Sequence, residues 1–453
     1  MLKLFEFFIY YGRIVPIDSF ERIVFMAKIK PFKALMFKDC AGDKKELVCP
    51  PYDIINEEQR NALLEKNTHN VIRLELPCGN EPYKDAAKTL KKWLDDGIVA
   101  LDEREGIYIY EEKFKVKGKS YSLKGFVSLV RLAEFSEGIV LPHEETLSKA
   151  KQDRFDLMTE TGVSFSQIYS LYMDEDRAVE GKLNELSERK ADVSFTDGEG
   201  VTHSLWCIYD ECDINYIAEK MADKKLYIAD GHHRYETALN FARANSKDLS
   251  DEGERTNYCM MMQVNMECDG LVVFPTHRVL HSLESFDEKE LLERCDNDFK
   301  IEQNLPLAEA ESVLKKAFEK GEKTFAFYCG GEFFTLMTLK DPAIMAEILP
   351  DKSAASQNLD VSVLHSLVLE RLFNIDRENM ANQKNLFYTR DISEAIDEVK
   401  SGRANCAFLI NPTRVTEIRD VAAAGEKMPQ KSTYFYPKLT TGLVMNKFRE
   451  PKE

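Results

Sequence analysis

Short apolar runs alternate with amphipathic stretches along most of the chain. "KIKPFKALMF" predicts a first strand over 28–37. "CPPYDIINEEQRNALLEKN" predicts a turn at Pro50 and Pro51 and then a helix capped near Asn56. "NVIRLELP" alternates polar and apolar and predicts a strand over 70–77. "DAAKTLKKWLDDG" predicts an amphipathic helix stopped by Gly97. "GIYIYEEKFKVKGKSYSLKGFVSLVRL" predicts strands joined by a turn at Lys117, Gly118 and Lys119. "SKAKQDRFDLMTETG" reads as a helix, "FSQIYSLYM" as a strand followed by a polar helix, and "HSLWCIYD" and "KKLYIAD" as strands. Helical periodicity then runs over 231–245.

Beyond that helix, "SKDLSDEGERTN" reads as a loop, and "YCMMMQVNM" and "LVVFPTHRVL" return to strand. Residues 285–340 mix helices with a hairpin of "TFAFYCGG" and "EFFTLMTLK". "DVSVLHSLVLERLF" predicts a buried helix, and "NLFYTR", "ISEAIDEVKSG" and "CAFLINP" a strand–helix–strand unit. The alternation implies an α/β or α+β fold. The expected division is an N-terminal α/β region over 26–140, a core over 141–284 and a C-terminal α/β region over 285–453. "MAKIKPFKALMF" reads as a domain start, so translation is expected to begin at Met26, with residues 1–25 a non-native extension.

Composition narrows the function. The 453 residues carry 61 Lys and Arg against 78 Asp and Glu, a formal net charge of −17. That argues against coating nucleic acid, although a local basic pocket for a small phosphate is compatible with it. The apolar run Phe7–Tyr11 is too short for a membrane span. Ten cysteines are scattered without a C-x-x-C pair, which argues against zinc and disulfide frameworks. Most are expected to be small buried residues in a reducing cytoplasm.

The densest chemistry is "LYIADGHHRYETALNF", a strand-to-helix turn. Gly231 permits a tight turn and close ligand approach. His232, His233 and Arg234 add donors to a helix N-terminus already suited to phosphate. Asp230 is open to three roles: helix cap, metal ligand or partner of a hydroxyl. "LPHEET" supplies His143 and two carboxylates, Glu144 and Glu145, either of which suits a general base. Lys151 and Arg154 of "SKAKQDR" are three apart and would make one helical face basic. "FPTHR" offers Thr276, His277 and Arg278 after a strand end. "MPQKSTYFYPK" offers Lys431, Ser432, Thr433 and Lys438, without the glycines of a Walker A loop. Tyr52 and Asp53 of "CPPYDII" are candidate pocket-lining residues.

"IADGHHRYETAL" resembles the D-G-H-H-R motif of the ParB/sulfiredoxin-like fold. From about Met26 onward the chain resembles the domain of unknown function 1015 family. The resemblance includes "CPPYDII", "NVIRLELP", "LPHEETLSKAKQDR", "SFSQIYSLY", "FPTHRVL", "LDVSVLH" and "MPQKSTYFYPKLTTGLV". Relatives of that fold include free-serine kinases, in which a P-H-E segment supplies a catalytic glutamate ahead of D-G-H-H-R. The resemblance therefore implies a mixed ParB/sulfiredoxin-like core with additional α/β segments at both ends. It also implies phosphotransfer between L-serine and O-phospho-L-serine with ADP or ATP and Mg²⁺. The competing expectation is a ParB-like nucleotide-binding regulator, although the acidic charge and absence of a recognisable helix-turn-helix disfavour DNA. Sulfiredoxin-type repair would want a cysteine where His232 stands.

Overall fold

The computed structural model describes residues 27–144, 146 and 148–452, plus the backbone pairing of Phe7–Tyr10 with Arg13–Pro16. The expectations about an N-terminal extension and about Glu145 otherwise lie outside the described residues. Two mixed layers of strands and helices give an α+β fold.

Among the described residues the larger sheet has nine strands. Its path is Val193–Thr196, Thr202–Ile208, Ile107–Val116, Lys119–Arg131, Tyr258–Asn265, Ile168–Tyr172, Leu226–Asp230 and Val140–Leu141, with Ile29–Lys30 against Lys119–Arg131. The sheet is mixed: Ile168–Tyr172 runs parallel to Tyr258–Asn265 and antiparallel to Leu226–Asp230. The second sheet has six antiparallel strands, in the order Phe299–Pro306, Phe333–Leu339, Thr324–Tyr328, Cys406–Leu409, His277–Leu280 and Leu386–Thr389. A small ladder of Val272–Phe274 with Tyr434–Tyr436 lies outside both. One buried apolar cluster includes Tyr169 and Met262 of the larger sheet and Phe327 and Phe408 of the smaller, so the two layers share a core.

Several expected elements form for the expected reasons. Helix Glu57–Lys66 starts with a reciprocal capping box between Asn56 and Gln59. Helix Pro82–Asp95 has proline in its first turn and buries Ala86, Ala87, Leu90 and Trp93 on one face. Lys117 and Gly118 both take positive φ in the hairpin turn.

Other elements differ. "NVIRLELP" contains a helical turn, Ile72–Glu75, instead of a strand. Its buried residues Val71, Ile72, Leu74 and Glu75 also fit one helical face, and Asn70 fixes the turn by accepting from the Ile72 N–H. "SKDLSDEGERTN" holds a short helix, Asp251–Arg255, capped by the Ser250 side chain. "KIKPFKALMF" divides into Ile29–Lys30 and Leu35–Phe37 around Pro31. "LVVFPTHRVL" breaks at Pro275, and its halves join different sheets. All ten cysteines are free, but only Cys49, Cys259, Cys295 and Cys406 are buried, so most are not core residues. Among the described residues no helix is long and apolar enough to cross a membrane.

Candidate active site

Strand Leu226–Asp230 ends inside a cleft of about 360 Å³. Gly231 follows at φ +92°, and helix His232–Ala244 begins at once. Gly231 stands at the N-cap and has no side chain to cap the helix, whose positive end opens toward the cleft. A Cβ at Gly231 would meet the Arg234 guanidinium at 2.9 Å, because Arg234 folds back over the turn. There it donates to Asp230 at 2.7 Å and to the Gln167 carbonyl at 2.6 Å.

Asp230 therefore does not cap the helix. Its second oxygen accepts from Lys438 Nζ at 2.5 Å. Burial alone would raise the Asp230 carboxyl, but Lys438 and Arg234 outweigh it and hold the group well below the usual carboxylate range. The two cations are thus fixed by one carboxylate and together leave one excess positive charge.

The two histidines of the turn differ. His232 is buried and its Nε2 accepts from the His143 backbone N–H at 3.2 Å. Burial drives its pKa well below the ordinary value, so the ring is neutral and carries its proton on Nδ1. That nitrogen stands 3.9 Å from Glu144 Oε2. His233 lines the cleft and is half-buried, and burial lowers its pKa too. His143 lies behind His232, with ring centroids 4.6 Å apart. Its Nδ1 donates to the Ile228 carbonyl at 2.7 Å, and its Nε2 accepts from the Thr433 hydroxyl at 3.1 Å. Burial lowers its pKa to about 4, which suits that neutral tautomer.

Glu144 lines the cleft beside Gly231, His232, His233 and Arg234. Its Oε1 accepts from the Lys431 backbone N–H at 3.3 Å. Lys431 and Thr433 also line the cleft. Ser432 turns away: its hydroxyl donates to the Pro429 carbonyl at 2.5 Å. Lys151 and Arg154 are not among the lining residues. Lys151 is tied to Glu236 at 2.6 Å. Arg154 is buried, donates to the Glu75 carbonyl at 2.8 Å and to Asp153, and lies 4.1 Å beneath the Tyr52 ring. It thereby supports Tyr52, which with Asp53 does line the cleft.

Sequence reasoning missed the opposite wall, formed by Tyr388, Thr389, Arg390 and Glu394. A usable signal existed. "FYTRD" is a second strand-to-helix turn with charged residues, joining Leu386–Thr389 to Ile392–Lys400. The cleft's cationic side chains are Arg234, Arg390, Lys431 and Lys438. Among the described residues its acidic ones are Asp53, Glu144, Asp230 and Glu394, as many as the cationic ones, whereas the whole chain is acidic. Among the described residues no group of three or more His, Cys, Asp or Glu is gathered to hold a metal ion.

The family described as "Protein of unknown function (DUF1015)" matches residues 29–362. The chain belongs to the DUF1015 family. The family match takes in Glu144 and the Asp230–Arg234 turn, whereas Lys431 and Lys438 lie beyond it. No curated protein matches the chain. Among solved structures, a free serine kinase in complex with AMP is similar at 15% identity and a TM-score of 0.32, covering 67% of this chain and 85% of that one. A point mutant of a free serine kinase in complex with ADP is similar at 12% identity and a TM-score of 0.33, with the same coverage. A conserved hypothetical protein from Pyrococcus furiosus is similar at 13% identity and a TM-score of 0.32, covering 67% of this chain and 88% of that one.

Proposed function

We propose that this DUF1015 protein is a cytoplasmic small-molecule phosphotransferase that interconverts L-serine and O-phospho-L-serine with a nucleotide, ADP or ATP. The observation that carries the reading is the shared cleft. Glu144 stands 3.9 Å from His232 and faces the same space as Arg234 and Lys438. A carboxylate near fixed cations and a helix N-terminus is what phosphoryl transfer to a hydroxyl requires.

In this reading Arg234 and Lys438, with the positive end of helix His232–Ala244 beside them, bind the phosphates. Asp230 keeps both cations aimed, so little reorganisation is needed when the ligand arrives. Glu144 accepts the proton of the acceptor hydroxyl. The neutral His232 ring, proton on Nδ1, orients the carboxylate once the distance closes. Mg²⁺ accompanying a nucleotide needs only one or two protein carboxylates, and Asp53 on the cleft wall fits that requirement while Glu144 serves as the base. Asp230 does not, since Arg234 and Lys438 already occupy both its oxygens. When bound, the ion would neutralise charge on the phosphate oxygens.

The test is to incubate the protein with Mg²⁺, ADP or ATP and a panel of amino acids, and to follow phosphoserine by mass spectrometry. Phosphoserine that forms with wild type and vanishes with Glu144→Gln is the expected result. Nucleotide binding with no transfer to any acceptor would favour a ParB/sulfiredoxin-like binding module instead.

A further inference from the structure

The wall facing Asp230 comes from the smaller sheet and has no part in the reading above. Thr276 lines it, is only 6% exposed, and its hydroxyl has no hydrogen-bond partner among the described residues. Tyr388 lines it too, and its buried hydroxyl is likewise without a partner. A buried polar atom without a partner calls for an explanation, and two of them on one cleft wall are met together by a single ligand group seated between them.

Behind them lies Arg278, fully buried. Its guanidinium donates to the carbonyls of Thr276 and Lys431 and to His365 Nε2, all neutral acceptors. It stacks 5.2 Å from the Tyr388 ring. Among the described residues no carboxylate pairs with it. Burial lowers its pKa only to about 10, so the charge persists at neutral pH. A buried, unpaired charge is costly to maintain, and an anion seated in front of it removes that cost.

We propose that Thr276 and Tyr388, with Arg278 behind them, form a subsite for the carboxylate of the acceptor. The proposal rests on the phosphotransferase reading for the acceptor's identity. Lys431 links the two ends. Its N–H donates to Glu144 at 3.3 Å, and its carbonyl accepts from Arg278 at 3.2 Å. A hydroxyl at Glu144 and an anion before Arg278 are therefore separated by a single residue of protein, which suits a small hydroxy amino acid. The Asp230–Lys438 side is left for the nucleotide phosphates.

Thr276→Val and Tyr388→Phe each remove one hydroxyl and keep the shape. ADP affinity is measured by calorimetry for wild type and both variants. Binding of L-serine, O-phospho-L-serine and L-serinamide is then measured on ADP-saturated protein, alongside KM for transfer. Wild type is expected to prefer L-serine over L-serinamide by about 10-fold or more, as a charge-assisted hydrogen bond implies. Each variant should lose most of that preference and bind ADP as wild type does. Unchanged serine and serinamide affinities in both variants would overturn the subsite, as would a wild type that binds none of the three. Variants that weaken ADP and spare serine would overturn it too, by assigning the wall to the nucleotide. Serine or phosphoserine binding that falls in the variants, in a protein that transfers no phosphoryl group, would uphold the subsite and remove the kinase reading.

Discussion

Lys438 reaches Asp230 across 208 positions of sequence and donates to it at 2.5 Å. This pair joins the C-terminal loop to the end of strand Leu226–Asp230, and Arg234 holds the other oxygen of the same carboxylate. Lys438→Met should weaken ADP binding by roughly 10- to 100-fold, the value of one lost charge-assisted contact. Asp230→Asn should instead lower stability by about 1.5–3 kcal/mol, because two half-buried cations lose the carboxylate that accepts from both. ADP titration and urea denaturation separate the two effects.

Arg234 and Glu144 should separate binding from chemistry. Arg234→Ala removes a guanidinium that contacts Asp230 and the Gln167 carbonyl, so nucleotide affinity falls and some stability goes with it. Glu144→Gln leaves the side-chain oxygen that accepts from the Lys431 N–H. Nucleotide binding should stay near the wild-type value while turnover drops roughly 10²–10⁴-fold. Retention of full phosphotransfer by Glu144→Gln would remove Glu144 as the base.

Gly231→Val should damage both steps for a backbone reason. The residue sits at φ +92°, where a β-branched side chain is strained by about 1–3 kcal/mol. The new Cβ would also stand 2.9 Å from the Arg234 guanidinium, which two hydrogen bonds pin in place. Thermal denaturation should report the strain, and ADP titration the displaced arginine.

These sites differ in how far sequence exposes them. Gly231 and its charged neighbours announce themselves because a tight turn and a helix start are local events, written in adjacent residues. Lys438 stands in a loop that reads as generically polar, and only the fold makes it the partner of Asp230. Tyr388 looks like an ordinary strand residue, and Thr276 and Arg278 are legible only as polar residues at a strand end, since period-two patterning marks which face is buried and not what the buried face approaches. Val71, Ile72 and Leu74 are ambiguous for the opposite reason: so few apolar positions satisfy a strand face and a single helical turn equally well. The net charge of −17 describes the whole chain, and the balance of four cations and four acids among the described residues of one cleft cannot be recovered from it.

A pH-dependent part of the stability should come from His203, far from the cleft in sequence and buried in the larger sheet. Its Nε2 lies 3.1 Å from Asp197, and its Nδ1 lies 2.7 Å from the Tyr110 hydroxyl and 3.5 Å from Glu112. Burial alone would lower its pKa, but Asp197 and Glu112 outweigh burial and raise it to about 9. The folded state therefore binds the proton more tightly than the unfolded chain, whose histidine titrates near its ordinary value of about 6.5. The stabilisation is complete below pH ~6.5 and is lost as pH rises through about 9, an effect of roughly 3 kcal/mol. Wild type should thus lose urea resistance between those limits. His203→Gln should be less stable than wild type at pH 6, with Glu112 left buried opposite a neutral side chain. The gap should narrow toward pH 9.5, where the wild-type imidazole is neutral as well. A gap that stays constant from pH 6 to 9.5 would mean that His203 is held neutral and serves by packing between Tyr110 and Phe195 alone.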